Sequence, residues 1–411
     1  MTVDEKGSVT PAAALLRNRT FLLFQGRATA NAVGYGVYLG TVLWISYLLT
    51  GGILWSGIII GIQTAIFTLT FLIGPLVDRA HDKRAVFLVC YPLQATLAVG
   101  LALSYSTKSL SIALLVLIVV LFAIIYDFTE SAEQTTTRIL FGKDNLFVVT
   151  GVGGAIGGAL SIGLYLATGA SISVYGALGS ASLLAGLLAT AALLAAFLPI
   201  PTPNVPTQSW WALFREGWSE FRGTQGRPLR HLSVQQAILG FFLPAPTLLM
   251  TLYVGRYFSA AQSGFAAFYV AYLIGGIVLG LLLGYLNPRR SIGAVLLASM
   301  FVVGVTLIGV YLAVVSLVAS TLVWCVIGGA DQTRSNCTWL YLQGRVEANK
   351  IARVTMNMYL FTGASSAVGA TVIGILSVVW TAPEVTFLVA AGYISAAILG
   401  LVLEETRRLS F

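Results

Sequence analysis

The chain carries little charge for its length. Of its 411 residues 9% are Asp, Glu, Lys or Arg, against 57% hydrophobic. A soluble domain of this size needs far more charge to cover its surface. Histidine is scarcer still: His81 and His231 both fall in polar stretches. No Ser/His/Asp cluster, HExxH pair or phosphate-binding glycine loop accompanies them, so an enzyme is not expected. Cysteine is limited to Cys90, Cys325 and Cys337, all in apolar segments, the last two 12 residues apart on one of them. That spacing is too wide for a bridge, and neither a disulfide framework, a metal site nor a cofactor is expected.

What the chain has instead is apolar length. Cut at its polar clusters, it falls into about twelve apolar segments, each near the roughly 20 residues that span hydrocarbon. They are 20–49, 53–77, 85–104, 109–136, 146–167, 171–198, 233–254, 262–284, 291–314, 316–341, 354–379 and 385–403. The expected fold is an all-α polytopic membrane protein of 12 transmembrane helices. The net charge of +8 does not point to nucleic acid, because its placement follows the bilayer. Lys6, Arg17, Arg19, Arg138, Lys143, Arg345, Lys350, Arg353, Arg407 and Arg408, with the basic residues of 78–84, 215–230 and 289–290, all fall on one side. Lys108 and Arg256 fall on the other. This positive-inside pattern predicts cytoplasmic termini and a cell-membrane location. Residues 1–16 lack a signal-peptide pattern, so the first span is expected to be the insertion signal.

The longest polar stretch, 199–232, opens with Pro199, Pro201, Pro203 and Pro206, which bar a continuous helix. Trp210, Trp211, Phe214, Trp218 and Phe221 then recur at helical spacing opposite Arg215, Glu216, Glu220 and Arg222, as in an amphipathic interfacial helix. The chain thus divides into a six-helix bundle at 1–198, a linker at 199–232 and a second six-helix bundle at 233–411. The halves echo one another at an offset of roughly 205–211 residues. Arg19 and Gln25 match Arg230 and Gln236; Gly74-x-x-x-Asp78-Arg79 matches Gly284-x-x-x-Pro288-Arg289. Asp127-x-x-Glu130-Ser131 matches Asp331-x-x-Arg334-Ser335. Two pseudo-symmetric halves are the architecture of many secondary transporters.

Charges inside a span cost at least about 2.5–3.5 kcal/mol each at the helix centre, so they face a cavity or a partner. The fourth span holds Asp127, Glu130, Glu133 and Gln134, with 127, 130 and 134 on one face. Asp331 and Arg334 share a face of the tenth, near Asn336, and Arg27 and Asn31 lie one turn apart on the first. Asp127 or Glu130 is a candidate proton carrier: burial favours the neutral acid and a nearby Arg27 or Arg334 the carboxylate. Against this stands a structural role, a Glu130–Arg334 or Asp331–Arg27 ion pair closing the cytoplasmic end. Asp127 lies about 27 Å from the outer end of its helix at 1.5 Å per residue, beyond the middle of a roughly 30 Å core. Substrate-facing candidates are Tyr35, Tyr126, Gln235, Gln236 and Phe241, with Pro244 and Pro246 permitting the seventh span to bend. The fifth span, with Gly153/Gly157 and Gly154/Gly158, offers a flat ridge for close packing, as do Gly363, Ala367 and Ala370 on the eleventh.

Between the second and third spans, Gly74-Pro75-Leu76-Val77 leads into Asp78-Arg79-Ala80-His81-Asp82-Lys83-Arg84. Gly, three residues, Asp-Arg and then Lys83-Arg84 resembles the loop between helices two and three of the major facilitator superfamily. Leu16-Arg17-Asn18-Arg19-Thr20-Phe21, Leu49-Thr50-Gly51-Gly52, Arg215-Glu216-Gly217-Trp218, Pro228-Leu229-Arg230 and Gly344-Arg345-Val346 look like its drug:proton antiporter subfamily, which includes macrolide and siderophore exporters. His81 and Asp82 depart from the loop pattern, and the fifth span lacks the proline of the antiporter motif.

The resemblance implies that the first, fourth, seventh and tenth helices line a central cavity. It implies that Asp78 faces the start of helix eleven and that a loop base, Arg79, Lys83 or Arg84, pairs with Glu133. The function expected is proton-coupled export of amphipathic or hydrophobic small molecules by alternating access. The alternative is an importer or facilitated carrier of a small polar or anionic nutrient, clamped by Arg27 and Arg334. Partners would be the substrate, protons and the lipid bilayer, with the chain a monomer because the transport path lies between its halves.

Overall fold

A computed structural model describes residues 15–69, 73, 76–77, 80, 82–201, 215, 218–222, 226–258, 261–286, 292–314, 316–346, 351–407 and 409, with 143–177 largely as backbone. The described secondary structure is helical throughout. In chain order the helices are α1 (Arg19–Thr50), α2 (Leu54–Thr68), α3 (Lys83–Ser106), α4 (Ile112–Ala196), α5 (Arg227–Gly240), α6 (Ala245–Tyr257), α7 (Ala261–Leu286), α8 (Ile292–Ala313), α9 (Leu317–Arg345), α10 (Ile351–Val379), α11 (Ala382–Val402) and the short α12 (Glu404–Arg407).

The polar residues between apolar runs start these helices. Asn18 Oδ1 accepts from the amides of Thr20 and Phe21 at the head of α1, and Ser111 Oγ from Leu114 at the head of α4. Ser316 Oγ accepts from Ala319 at the head of α9, each satisfying amides that a helix start leaves open. Gly51 ends α1 with a positive φ of 71°, its amide bonding back to Tyr47, as glycine does at helix C-termini.

Among the described residues, eight helical segments are long and apolar enough to cross a membrane, and the shorter Leu54–Thr68 and Ala267–Leu279 are also apolar. Large aliphatic residues such as Leu312, Val318 and Val379 are exposed while Arg27, Lys83, Asp127 and Gln235 are buried. That inversion of the soluble pattern is stable only with hydrocarbon outside.

The chain forms two compact units, residues 1–42 with 70–207 and residues 43–69 with 208–411. This grouping takes 43–69 out of the first of the halves read from sequence. In the first unit, α1 runs antiparallel to the start of α4. Tyr35 stacks on Tyr126 at 4.3 Å between ring centroids, and Tyr38 on Phe122 at 3.7 Å. The helical run of α4 is longer than any span and is not straight. Gly157 lies against Gln25 and Thr29, and Gly26 against Leu194, yet a straight helix from 157 to 194 would measure about 55 Å. The run therefore doubles back, as three successive spans require; Gly142, with φ 68°, relaxes the backbone at one point along it.

In the second unit, α5 and α6 form one span interrupted at 241–244, a break that includes Pro244 and is followed by Pro246. A proline in a helix removes a donor and crowds the preceding turn. The break packs against glycines: the backbone of Gly369 on α10 leaves no room for a Cβ beside the carbonyl of Phe241. α2 lies along α10 in the same manner. A Cβ on Gly57 would sit 2.5 Å from the carbonyl oxygen of Ala370, and one on Gly61 2.8 Å from that of Ala367. Here the small residues expected on the eleventh span meet their neighbour. Of the amphipathic stretch, 210–214, 216 and 217 lie outside the described residues. Trp218 packs edge-on to Phe361 at 5.6 Å and Phe221 is buried.

Candidate functional site

Two clusters of buried charge stand out, one in each unit. In the first, Arg27 is fully buried. Its guanidinium lies over the Phe87 ring at 4.3 Å and the Phe24 ring at 5.0 Å, cation–π contacts that gain strength when desolvated. Nη1 donates to the hydroxyl of Tyr91 at 2.6 Å. Nη2 makes an ion contact of 3.1 Å with Glu133 Oε2, without the alignment of a hydrogen bond. Periodicity explains the convergence. Phe87 and Tyr91 are one turn apart on α3 and stack at 5.8 Å, while Phe24 sits one turn below Arg27 on α1.

One turn along α4 from Glu133, Glu130 hydrogen-bonds with Gln134 and lies within electrostatic reach of Glu133, Arg27 and Asp127. Asp127 is buried. Asn31 and Gln94 are buried one turn along from Arg27 and Tyr91 on their own helices. Asn31 Oδ1 and both amide atoms of Gln94 have no hydrogen-bond partner among the described residues. Buried amides in that condition are usual hosts for ordered water. Tyr35 and Tyr126, candidates for stacking on substrate, stack on each other.

In the second cluster, Arg334 and Asp331 pair along α9, Nε donating to Oδ1 at 2.8 Å. Tyr272 on α7 donates to Asp331 Oδ2 at 2.6 Å. Arg334 Nη1 donates to Gln236 Oε1 at 3.2 Å, and Gln236 Nε2 to Thr338 Oγ1 at 3.4 Å. Asn336 accepts from Gln332 one turn away at 2.9 Å. Gln235, although adjacent to Gln236, has a packing role: it donates to the carbonyl of Ala396 at 3.1 Å and contacts Met300 sulfur at 3.4 Å. Phe241 sits in the 241–244 break, edge-on to Phe242.

Each arginine is thus engaged by a carboxylate of its own unit, Arg27 by Glu133 and Arg334 by Asp331. Glu133, expected to meet a loop base, contacts Arg27; of the three candidate bases, Arg79 lies outside the described residues. Lys83 Nζ instead donates to the carbonyls of Val77 and Ala80, closing the turn before α3. Asp82, the departure from the loop pattern, caps α3 by accepting from the Arg84 amide at 2.8 Å. Gly74, Asp78 and Arg79 lie outside the described residues.

Tyr91, Phe87 and Tyr272 were not singled out from sequence. The available signal was weak: aromatic residues one turn apart facing a neighbouring buried charge.

No protein-family model and no curated protein matches the sequence. Solved structures match over nearly the whole chain. The backbone is similar to the nucleoside transporter NupG, with 15% identity, a TM-score of 0.72 and coverage of 94% of this chain and 99% of that one. An auto-inhibited POT family peptide transporter matches at 14% identity and a TM-score of 0.70, over 93% and 96% of the two chains. The human organic anion transporter MFSD10 matches at 14% and 0.66, over 95% and 99%. The protein is a multi-pass, all-helical membrane protein with the major facilitator fold. Identities this low define the fold and do not distinguish subfamilies.

Proposed function

We propose that the protein is a secondary active transporter that works by alternating access and couples proton movement to export of amphipathic or hydrophobic small molecules. Its setting is the cell membrane, with both termini cytoplasmic. The observation that carries the reading is the run of three acids, Asp127, Glu130 and Glu133, on the membrane-spanning start of α4 beside the buried Arg27. Acids in that position are costly unless their charge is used, and a proton gained or lost there changes the local charge without any other ion. The adjoining Tyr35–Tyr126 stack supplies flat apolar surface suited to a lipophilic solute.

The test is collapse of an imposed pH gradient in inverted vesicles on addition of lipophilic cations, macrolides and siderophores. Wild type is expected to collapse the gradient with at least one of them and Glu130→Gln with none. A Glu130→Gln variant with unchanged pH-driven transport overturns the assignment of the proton to that residue.

The second reading, a carrier of a small polar solute, is favoured by the hydrogen-bonding set Gln236, Thr338, Gln332 and Asn336 around Arg334. Substrate counterflow with nucleosides, sugars or organic anions, and no gradient collapse with the lipophilic panel, selects it. An anion clamp by both arginines is disfavoured because each already holds a carboxylate.

A further inference from the structure

Four exposed arginines of the second unit, Arg215, Arg222, Arg227 and Arg230, gather where the linker meets α5. The acids of that stretch are Glu216, outside the described residues, and the half-buried Glu220. The backbone folds back on itself here. A Cβ on Gly226 would sit 2.5 Å from the carbonyl oxygen of Glu220 and from the carbonyl carbon of Phe221. Arg222 and Arg227 follow the two sides of this contact. Arg230, three residues beyond Arg227 and on the same face of α5, donates from Nη1 to the Phe221 carbonyl.

The same turn seats an aromatic group at the edge of a span. Phe221 is buried, and Trp218 packs against Phe221 at 5.7 Å and against Phe361 of α10 at 5.6 Å. Phe361 lies about 6 Å along the helix from the start of the apolar stretch Asn357–Val379, the depth at which interfacial aromatic residues sit. From Phe361 an exposed apolar stripe continues through Val368 and Ile375. Their spacing is close to two helical turns each, so the three share one face of α10. Ala367 and Ala370 are turned to α2, and Gly369 to Phe241.

A small anion or an acidic protein segment would use the guanidinium groups and leave the stripe unmatched. A phospholipid matches both, because guanidinium forks hydrogen-bond phosphate oxygens and acyl chains lie along apolar helix surface. Clustered arginines at the entry of a membrane-crossing helix are a pattern that anionic headgroups recognise.

We propose that this corner of the second unit binds one anionic phospholipid, with its phosphate on Arg222, Arg227 and Arg230 and an acyl chain along the Phe361 stripe beside Trp218. The bound lipid holds the linker at the membrane surface. It uses none of the residues assigned above to the proton or the solute.

Native mass spectrometry of the full chain in neutral detergent tests this by counting the lipids that stay bound. Phosphatidylglycerol is titrated against phosphatidylcholine with the same acyl chains, and wild type is expected to prefer the former. Each arginine near a membrane surface is worth about a fivefold change in affinity, so Arg222→Gln/Arg227→Gln is expected to weaken the first phosphatidylglycerol about 30-fold. Arg17→Gln/Arg19→Gln, at exposed arginines of the first unit, is expected to leave that lipid in place. An equal loss in both double variants reduces the effect to overall charge and overturns the site, as does equal affinity of wild type for the two lipids.

Val368→Ser reads the acyl contact. It is expected to weaken long-chain phosphatidylglycerol about fourfold, the worth of one buried methylene, and to spare a short-chain form that does not reach it. An equal effect on both forms overturns that contact. Displacement of the lipid by inorganic phosphate or by a poly-glutamate peptide at the same concentration overturns the lipid as occupant, in favour of a small anion or an acidic protein surface. The double variants change exposed side chains, and an unchanged melting temperature without added lipid separates lost binding from lost fold.

Discussion

The two charge clusters use the same chemistry in opposite ways. Around Arg27 the cation is on α1, the acid on α4 and the phenol on α3, so the cluster exists only while three helices keep their register. Around Arg334 the cation and acid are three residues apart on α9. That pair is a local property of one helix, to which α7 and α5 add Tyr272 and Gln236. A pair assembled from separate helices reports their packing. A pair within one helix survives rearrangement and delivers a fixed dipole wherever the helix goes.

Breaking the first cluster is expected to cost most. Arg27→Met leaves Glu133 without its cation and removes the contacts to Tyr91 and Phe87. A loss of about 3–5 kcal/mol is expected for breaking a buried pair from one side, read as thermal unfolding in detergent. Asp331→Asn tests the second cluster. The amide still accepts from Tyr272 and Arg334 keeps Gln236, so the expected loss is about 1.5–3 kcal/mol, the range for hydrogen bonds to charged groups. A loss as large as that of Arg27→Met would erase the distinction between tertiary and local pairs.

Tyr91→Phe keeps the ring on Phe87 and removes one hydrogen bond from a guanidinium that retains Glu133 and both rings; about 1.5 kcal/mol is expected, the low end for a bond to a charged group. The smallest effect is expected in a double-mutant cycle between Asp331 and Gln236. These touch different nitrogens of Arg334, and an interaction energy near 0.5 kcal/mol marks the lower limit for residues sharing a network. A value above 2 kcal/mol would show the second cluster to be as interdependent as the first.

Hydropathy made the fold legible. The span read as 20–49 is α1 at Arg19–Thr50, and 85–104 is α3 at Lys83–Ser106, because membrane thickness dictates segment length and polar residues mark the ends. The charged members of the clusters were legible for a related reason: an arginine or glutamate inside an apolar run stands out against its neighbours. Their partnerships were not. Several partners for Arg27 and for Glu133 stood open in the sequence, and their contact with each other was not among them. Pairing depends on which faces converge, and neither charge nor spacing records that. Tyr91 and Phe87 were invisible because aromatic residues are ordinary in apolar helices and acquire a role only from the guanidinium between them. Asp82 looked anomalous for the opposite reason: a capping acid belongs to the helix that follows it, not to the loop motif around it.

The line where α2 lies along α10 has a consequence for how the gene tolerates change. At Gly57 and Gly61 the opposing backbone leaves room for a hydrogen and nothing larger, so acceptance there is all-or-none. A saturation library should show these as near-blank columns, even for alanine. Leu69, just beyond α2, is exposed and should accept almost any apolar residue. A segment that looks uniform by hydropathy can therefore hold positions whose permitted alphabets differ sharply from residue to residue.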